Sequence, residues 1–150
     1  MAMAELFREL DEFYREPEIE PPEVTAERIN SALFGPVPRA FSLLAWDDAR
    51  LAGLAGYSFL WPSRRATKSL YLKELYVREP YRGTGVGELL MRKLFSEATE
   101  NGCYRVEWTA DDHNLDAQRF YAKLGFRVLP SKVFYRTEGV DAIRRFAADG

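Results

Sequence analysis

The chain is short of the residues that most often carry metal or hydrolytic chemistry. Its 150 residues include one histidine, His113, and one cysteine, Cys103. A lone histidine supports neither a histidine-based metal cluster nor a hydrolase triad, and His113 reads as a loop residue before a helix. A single cysteine makes no internal disulfide, which points to a reducing compartment. Cys103 opens a strand and reads as packing rather than as a nucleophile. Long hydrophobic runs are missing too. The longest, Leu51 to Trp61, is interrupted by Gly53, Gly56 and Ser58 and falls short of the roughly 18 residues that a membrane span needs. The first residues meet charge at Glu5 before a leader-like segment develops. These absences predict a cytoplasmic protein with no metal and no membrane partner. With no repeat, low-complexity stretch or linker, residues 1–150 read as a single domain.

What is present is a globular mixture, 47% apolar and 29% charged. The net charge of −2 conceals an uneven distribution: residues 1–23 carry eight acids against Arg8 and Arg15, and the remainder is basic. Arg64, Arg65, Lys68, Lys73, Arg78, Arg82, Arg92 and Lys93 gather around a glycine-rich turn. Such an excess could receive a phosphorylated ligand, although a solvated mixed-charge surface has the same composition. The basic cluster is short and no nucleic-acid module accompanies it, so no nucleic-acid partner is expected.

Apolar residues at 6, 7, 10, 13 and 14 mark a first helix, and "TAERINSALFG" a second with Thr25 as N-cap and Gly35 as stop. "AFSLLAW" and "LAGLAGYSFLW" read as strands joined by a polar turn, and "SLYLKELYV" as a third. A helix then runs to Asn101-Gly102, followed by the strand "YRVEWTA". "NLDAQRFYAKLGF" is a helix capped by Asn114 and closed by Gly125. "KVFYRTE" reads as a last strand, with a short helix from Val140. Trp46 and Trp61 read as structural. The order predicts one α/β layer architecture. In the third strand Leu70 and Leu72 share one parity, and Leu75 and Val77 the other. A β-bulge at Lys73-Glu74 would explain the change of phase, as would a strand covered on both faces.

The turn "YRGTGVGELL" places glycines at 83, 85 and 87 between a strand and a helix. Free amides at a helix start, with glycines that admit close backbone approach, make a site for phosphate oxygens. The spacing is not that of the dinucleotide fingerprint, and no Gly-Lys-Ser/Thr follows as in a P-loop. "RGTGVG", Arg82 to Gly87, resembles the acetyl-CoA loop of the GNAT superfamily of N-acetyltransferases. "NLDAQRFYAKLGF", Asn114 to Phe126, resembles that superfamily's second signature. "SALFG", "LYLKELYV", "VEWTADDHN" and "YRTEGVDAIRRFA" are similar to segments of its diamine (spermidine/spermine) acetyltransferase-like branch. Three departures stand out: the chain starts at the first helix with no preceding strand, Lys73 stands where the branch has an acid, and His113 replaces a tryptophan.

The resemblance implies a GNAT-like fold, a mixed sheet mostly antiparallel on its N-terminal side with flanking helices and the first strand missing. It implies acetyl-CoA as donor, held by Arg82, Gly83, Thr84, Gly85, Val86, Gly87 and Glu88. Backbone groups of Leu75, Tyr76 and Val77 would meet the thioester, and Asn114 and Ala117 the rest of the cofactor. Tyr121 matches the family's general acid, whereas its place in an apolar stripe, taken alone, reads as core. Glu74 and Glu107 are the candidates to take the amine's proton or bind its cation. Lys73 and Trp108 complete the acceptor side. Reversal of charge at Lys73 favours an amino-acid-like amine, whose carboxylate Lys73 could hold, over a bare polyamine. The resemblance also implies a homodimer. The alternative reading is a non-catalytic acyl-CoA-binding sensor.

Overall fold

The order of the elements follows the punctuation of the sequence. The computed structural model describes residues 1–148 and divides into a first compact unit, Met1–Asp111, and a second that begins at Asp112. The first unit holds α1 (Ala2–Tyr14), α2 (Pro22–Phe34), β1 (Phe41–Asp47), β2 (Arg50–Leu60), β3 (Lys68–Val77), α3 (Val86–Glu100) and β4 (Cys103–Glu107). The second holds α4 (Leu115–Lys123) and α5 (Val140–Ala148). As expected, the first element is a helix.

One four-stranded sheet runs β1-β2-β3-β4. β1 pairs with β2, and β2 with β3, antiparallel; β3 pairs with β4 parallel across the α3 connection. Of the two explanations left open for the change of phase in β3, the bulge is there. Glu74 sits opposite Gly56 and Leu72 opposite Tyr57, so Lys73 has no partner on β2. Because the extra residue resets the alternation, Leu70, Leu72, Leu75 and Val77 come to one face, and Tyr71, Glu74 and Tyr76 to the other. The parallel pairing ends earlier than β3 does. Its last pair is Tyr71 with Glu107, and β3 continues to Val77 with no ladder on that side.

Both faces are covered. Leu6 and Leu10 of α1 pack with Leu51, Leu54 and Tyr76, with Leu44 and Phe7 at the margin. Leu6 is fully buried and Leu10 nearly so, a contribution of roughly 1.5–3 kcal/mol each. α3 lies across the strands and brings Leu90, Met91, Leu94 and Ala98 into the core with Ala55, Leu70 and Leu72. An ion pair fastens α1 at its middle: Glu9 Oε2 accepts from Arg78 Nε at 3.0 Å, while the same guanidinium donates to the Leu51 carbonyl at 2.9 Å.

Four expectations need correction. Helix α2 starts three residues before Thr25, with Pro22 as its first residue, because proline is pre-shaped for that position and needs no amide partner. β4 stops at Glu107 rather than running to Ala110. Among the described residues no strand forms over 132–138; Val133, Phe134 and Tyr135 there are 76%, 58% and 87% exposed. Strand propensity without a paired neighbour does not make a strand. Trp46 and Trp61 lie mostly on the surface, although Trp61 ties its loop by donating from Nε1 to the Ala66 carbonyl at 2.9 Å. No helix among the described residues is long and apolar enough to cross a membrane.

Leu6→Ala should destabilise the chain by about 2–5 kcal/mol, the cost of a cavity beneath α1. Urea unfolding followed by circular dichroism measures it, and a loss under 1 kcal/mol would show that α1 contributes little to the core.

Candidate active site

Two neighbouring features of β3 make the site in the first unit: its bulge and the turn that follows it. The turn needs its glycines. Gly83 has φ +75° and Gly85 φ +96°, left-handed values that side chains disfavour, and the space where a Cβ would stand is open at both. Gly85 is the N-cap of α3, and no side chain caps the helix. Val86, Gly87 and Glu88 therefore open a helix whose first amides meet no capping side chain, an arrangement suited to a phosphate group. Thr84 braces the turn by donating from Oγ1 to the Tyr81 carbonyl at 2.6 Å. Glu88 is paired with Arg92 at 2.7 Å along the outer side of the helix.

Arg82, although exposed, is held against α1 and β3. Its Nε donates to the Val77 carbonyl at 2.9 Å, and its guanidinium lies 5.6 Å from the Phe13 ring centre and 5.7 Å from that of Tyr76. The cation thus bridges α1, the end of β3 and the turn through contacts with ring faces and one carbonyl.

At the bulge, Glu74 lies on the face covered by α1 and is half-buried. Burial pushes its carboxyl above the usual carboxylate range. A hydrogen bond from Tyr14, the charge of Lys73 and the Leu75 amide draw it back, and Asp111 pushes it up again. The Tyr14 hydroxyl donates to Glu74 Oε1 at 3.3 Å. Here the parallel ladder with β4 has already ended. Tyr76, buried at 9% exposure, is hydrogen-bonded to Arg82; burial raises its phenol above the ordinary value. A half-buried carboxylate at the end of the parallel ladder, followed along the chain by a turn suited to a phosphate group, is an arrangement that can take a proton from an amine.

Residues 3–126 match the Acetyltransferase (GNAT) family. The chain belongs to that family. It is 34% identical over 98 residues to the L-ornithine N5-acetyltransferase of Arabidopsis thaliana, an alignment covering 65% of this chain and 42% of the plant protein. The chain thus spans less than half of that relative. It is 31% identical over 121 residues to the D-amino-acid N-acetyltransferase of Saccharomyces cerevisiae, covering 79% of this chain and 73% of the yeast protein. Among solved structures, an integron cassette protein from the mobile metagenome of V. cholerae superposes with a TM-score of 0.88 at 27% identity, covering 97% of this chain and 90% of the other.

The GNAT residues expected from sequence are distributed as follows. Lys73, Glu74, Leu75, Tyr76, Val77 and the 82–88 turn adjoin one another along the chain in the first unit. Glu107 and Trp108 end β4, Glu107 3.9 Å from Arg105 and Trp108 edge-on to Phe95 of α3 at 6.4 Å. Asn114, Ala117 and Tyr121 belong to the second unit. There Asn114 caps α4, its Oδ1 accepting from the Ala117 amide at 3.1 Å, and Tyr121 is half-buried with its ring 5.2 Å from that of Phe120. His113 is exposed beside Asp112. Sequence reasoning missed Tyr14 as a partner of Glu74. Tyr14 reads only as part of an apolar stripe, and nothing in the sequence ties it to a carboxylate sixty positions away.

Because burial dominates at Glu74, the folded chain holds its proton more tightly than the unfolded chain does. The stability this gives is complete below the ordinary carboxylate value of about 4.3 and is lost as pH rises through the raised folded value. Glu74→Gln removes that loss. The variant's stability relative to the native chain should therefore grow as pH rises out of the acid range and then level off. Urea titrations across pH measure it, and a difference independent of pH would contradict the desolvation of Glu74.

Proposed function

We propose that this chain is an N-acetyltransferase that moves an acetyl group from acetyl-CoA to the primary amine of a small, amino-acid-like acceptor by direct attack. The observation that carries the reading is the bulge at Lys73: it sets a desolvated carboxylate and a cation side by side, where the β3–β4 ladder has ended and a few residues before the anion-binding turn. The named activities of the plant and yeast relatives, on ornithine and on D-amino acids, support an acceptor of this class.

The acetyl thioester supplies an electrophilic carbonyl and a thiol leaving group. The residues do the remaining work. The amides at the start of α3 and the open turn at Gly83 and Gly85 bind the pyrophosphate. Backbone donors at Leu75, Tyr76 or Val77 receive the developing charge on the carbonyl oxygen. An acceptor amine with a pKa near ~10.4 arrives protonated, and Glu74 takes that proton, directly or through water. Lys73, exposed at the bulge, pairs with the acceptor's carboxylate, and Glu107 and Trp108 border the acceptor. Tyr121 gives its proton to the departing sulfur and regains one from the nitrogen that has formed the amide, so that one proton is released overall. Asn114 and Ala117 are assigned to the cofactor through the family motif. The proposal extends to one acetyltransferase domain acting as a cytoplasmic homodimer.

An amine screen tests the acceptor. With acetyl-CoA as donor and release of free thiol as readout, ornithine, lysine analogues and amino acids should exceed spermidine in kcat/KM. Spermidine as the best acceptor would overturn the assignment of Lys73. Tyr121→Phe should lower kcat by roughly 10²-fold or more while leaving acetyl-CoA affinity in place. An unchanged kcat would remove Tyr121 from the chemistry. Binding of acetyl-CoA with no turnover of any amine by the native chain would leave a sensor.

A further inference from the structure

We propose that Tyr14 is a positioning residue of this site: its hydroxyl, donating to Oε1 of Glu74, holds the carboxylate at the bulge in one orientation for proton transfer. The inference rests on the acetyltransferase reading and adds a residue from a helix that the glycine turn and the bulge do not include.

The geometry is specific to Tyr14. It is the last residue of α1, and the helix ends there because Arg15 turns left-handed, φ 56°, with its backbone amide returned to the Glu12 carbonyl at 3.2 Å. The neighbouring ring, Phe13, meets Tyr14 edge-on at 5.3 Å and Tyr76 at 6.2 Å, and lies against the Arg82 guanidinium. Adjacent residues of one helical turn therefore reach adjacent parts of the site, Phe13 the arginine of the turn and Tyr14 the carboxylate of the bulge. Docking of α1 does not require the Tyr14 bond. Leu6, Leu10 and the Glu9–Arg78 pair fix the helix, and Tyr14 itself is 45% exposed. A phenol that donates to a carboxylate favours the charged form of that carboxylate. The distance of 3.3 Å exceeds the common O–H···O length of about 2.7–2.8 Å, and catalytic hydrogen bonds are often long before the reacting complex tightens them.

Among the described residues, four groups act on Glu74: the Tyr14 hydroxyl from α1, the Lys73 ammonium and the Leu75 amide from β3, and Asp111 following β4. Tyr14, Lys73 and Leu75 hold the carboxylate ionised, while Asp111 and burial oppose them. Loss of the Tyr14 hydroxyl therefore moves the titration of Glu74 to higher pH.

The test compares the full-length chain with Tyr14→Phe, which keeps the ring and its contact with Phe13, and with Tyr14→Leu as a second variant. Two readouts are taken: the pH profile of kcat/KM with the best amine of the screen, and the carbon-13 NMR titration of the Glu74 side-chain carboxyl, assigned against Glu74→Gln. Both variants should shift the acidic limb and the NMR midpoint to higher pH together. Tyr14→Phe should lower kcat by roughly tenfold, less than the ~10²-fold or more expected when the base itself is removed. A limb and a midpoint that stay in place overturn the proposal. A midpoint that moves while the limb does not would show that the contact exists without serving catalysis, which also overturns it. Failure of the native chain to acetylate any amine would overturn the acetyltransferase reading, and the NMR titration would still report separately on the Tyr14–Glu74 contact.

Discussion

The one unpaired residue in β3 governs the rest of the site. Had β3 continued in register past Leu72, Glu74 would share a face with Leu70 and Leu72, where α3 packs and a carboxylate would have to be buried. The bulge places it instead under the last turn of α1, half-buried and within reach of a phenol. It also leaves Leu75 and Val77 on the face of the core, so the strand keeps its apolar support on both sides of the irregularity. Pairing with β4 ends at Tyr71, two residues before the bulge, and the two effects combine: the segment that changes phase is also the segment with an open edge. A sheet normally conceals an open edge; here the open stretch leads along the chain into the glycine turn.

α1 closes one side of this segment through three kinds of contact. Leucines supply area, the Glu9–Arg78 pair supplies direction, and Phe13 and Tyr14 supply the contacts with Arg82 and Glu74. Arg78 is 13% exposed and shared between a carboxylate and a carbonyl, so its charge is compensated where it is shielded from water. The acidic character of residues 1–23 has a part in this: Glu9 is spent on docking, while Glu5 and Glu12 of α1 are exposed.

What could be read from the sequence were features whose cause is local. The glycine turn, the Asn114 cap, the stops at Gly102 and Gly125 and the bulge at Lys73 each arise from a few adjacent residues, and each is where the spacing puts it. The helix at Val140 belongs to the same group. What could not be read depended on distant partners. The segment 132–138 has the composition of a strand, but composition does not provide a neighbour to pair with. Trp46 and Trp61 are large and apolar, but whether they face the core depends on how the sheet is covered. Thr25 is a good cap one turn too late, because Pro22 already fits the start of α2. Tyr14 belongs to an apolar stripe, and the stripe gives no sign that its last member meets a carboxylate. Where the sequence resembles a known family, the resemblance is the ground on which roles are proposed for Tyr121, Asn114 and Ala117, which the pattern of residues alone leaves open.

The length of chain between α1 and its partners has a kinetic consequence. The β1–β2 and β2–β3 pairings join neighbours in sequence, and β3–β4 needs only the α3 crossover, so the sheet can assemble from short closures. The Tyr14–Glu74 and Glu9–Arg78 contacts span 60 and 69 residues, and they reward the chain only after bulge, strand and turn have formed. Such a helix is the natural unit to join last during folding and to detach first in partial unfolding. The carboxylate would then be uncovered while the sheet and the glycine turn stay intact, so hydrogen exchange along α1 should run ahead of that in the strands beneath it.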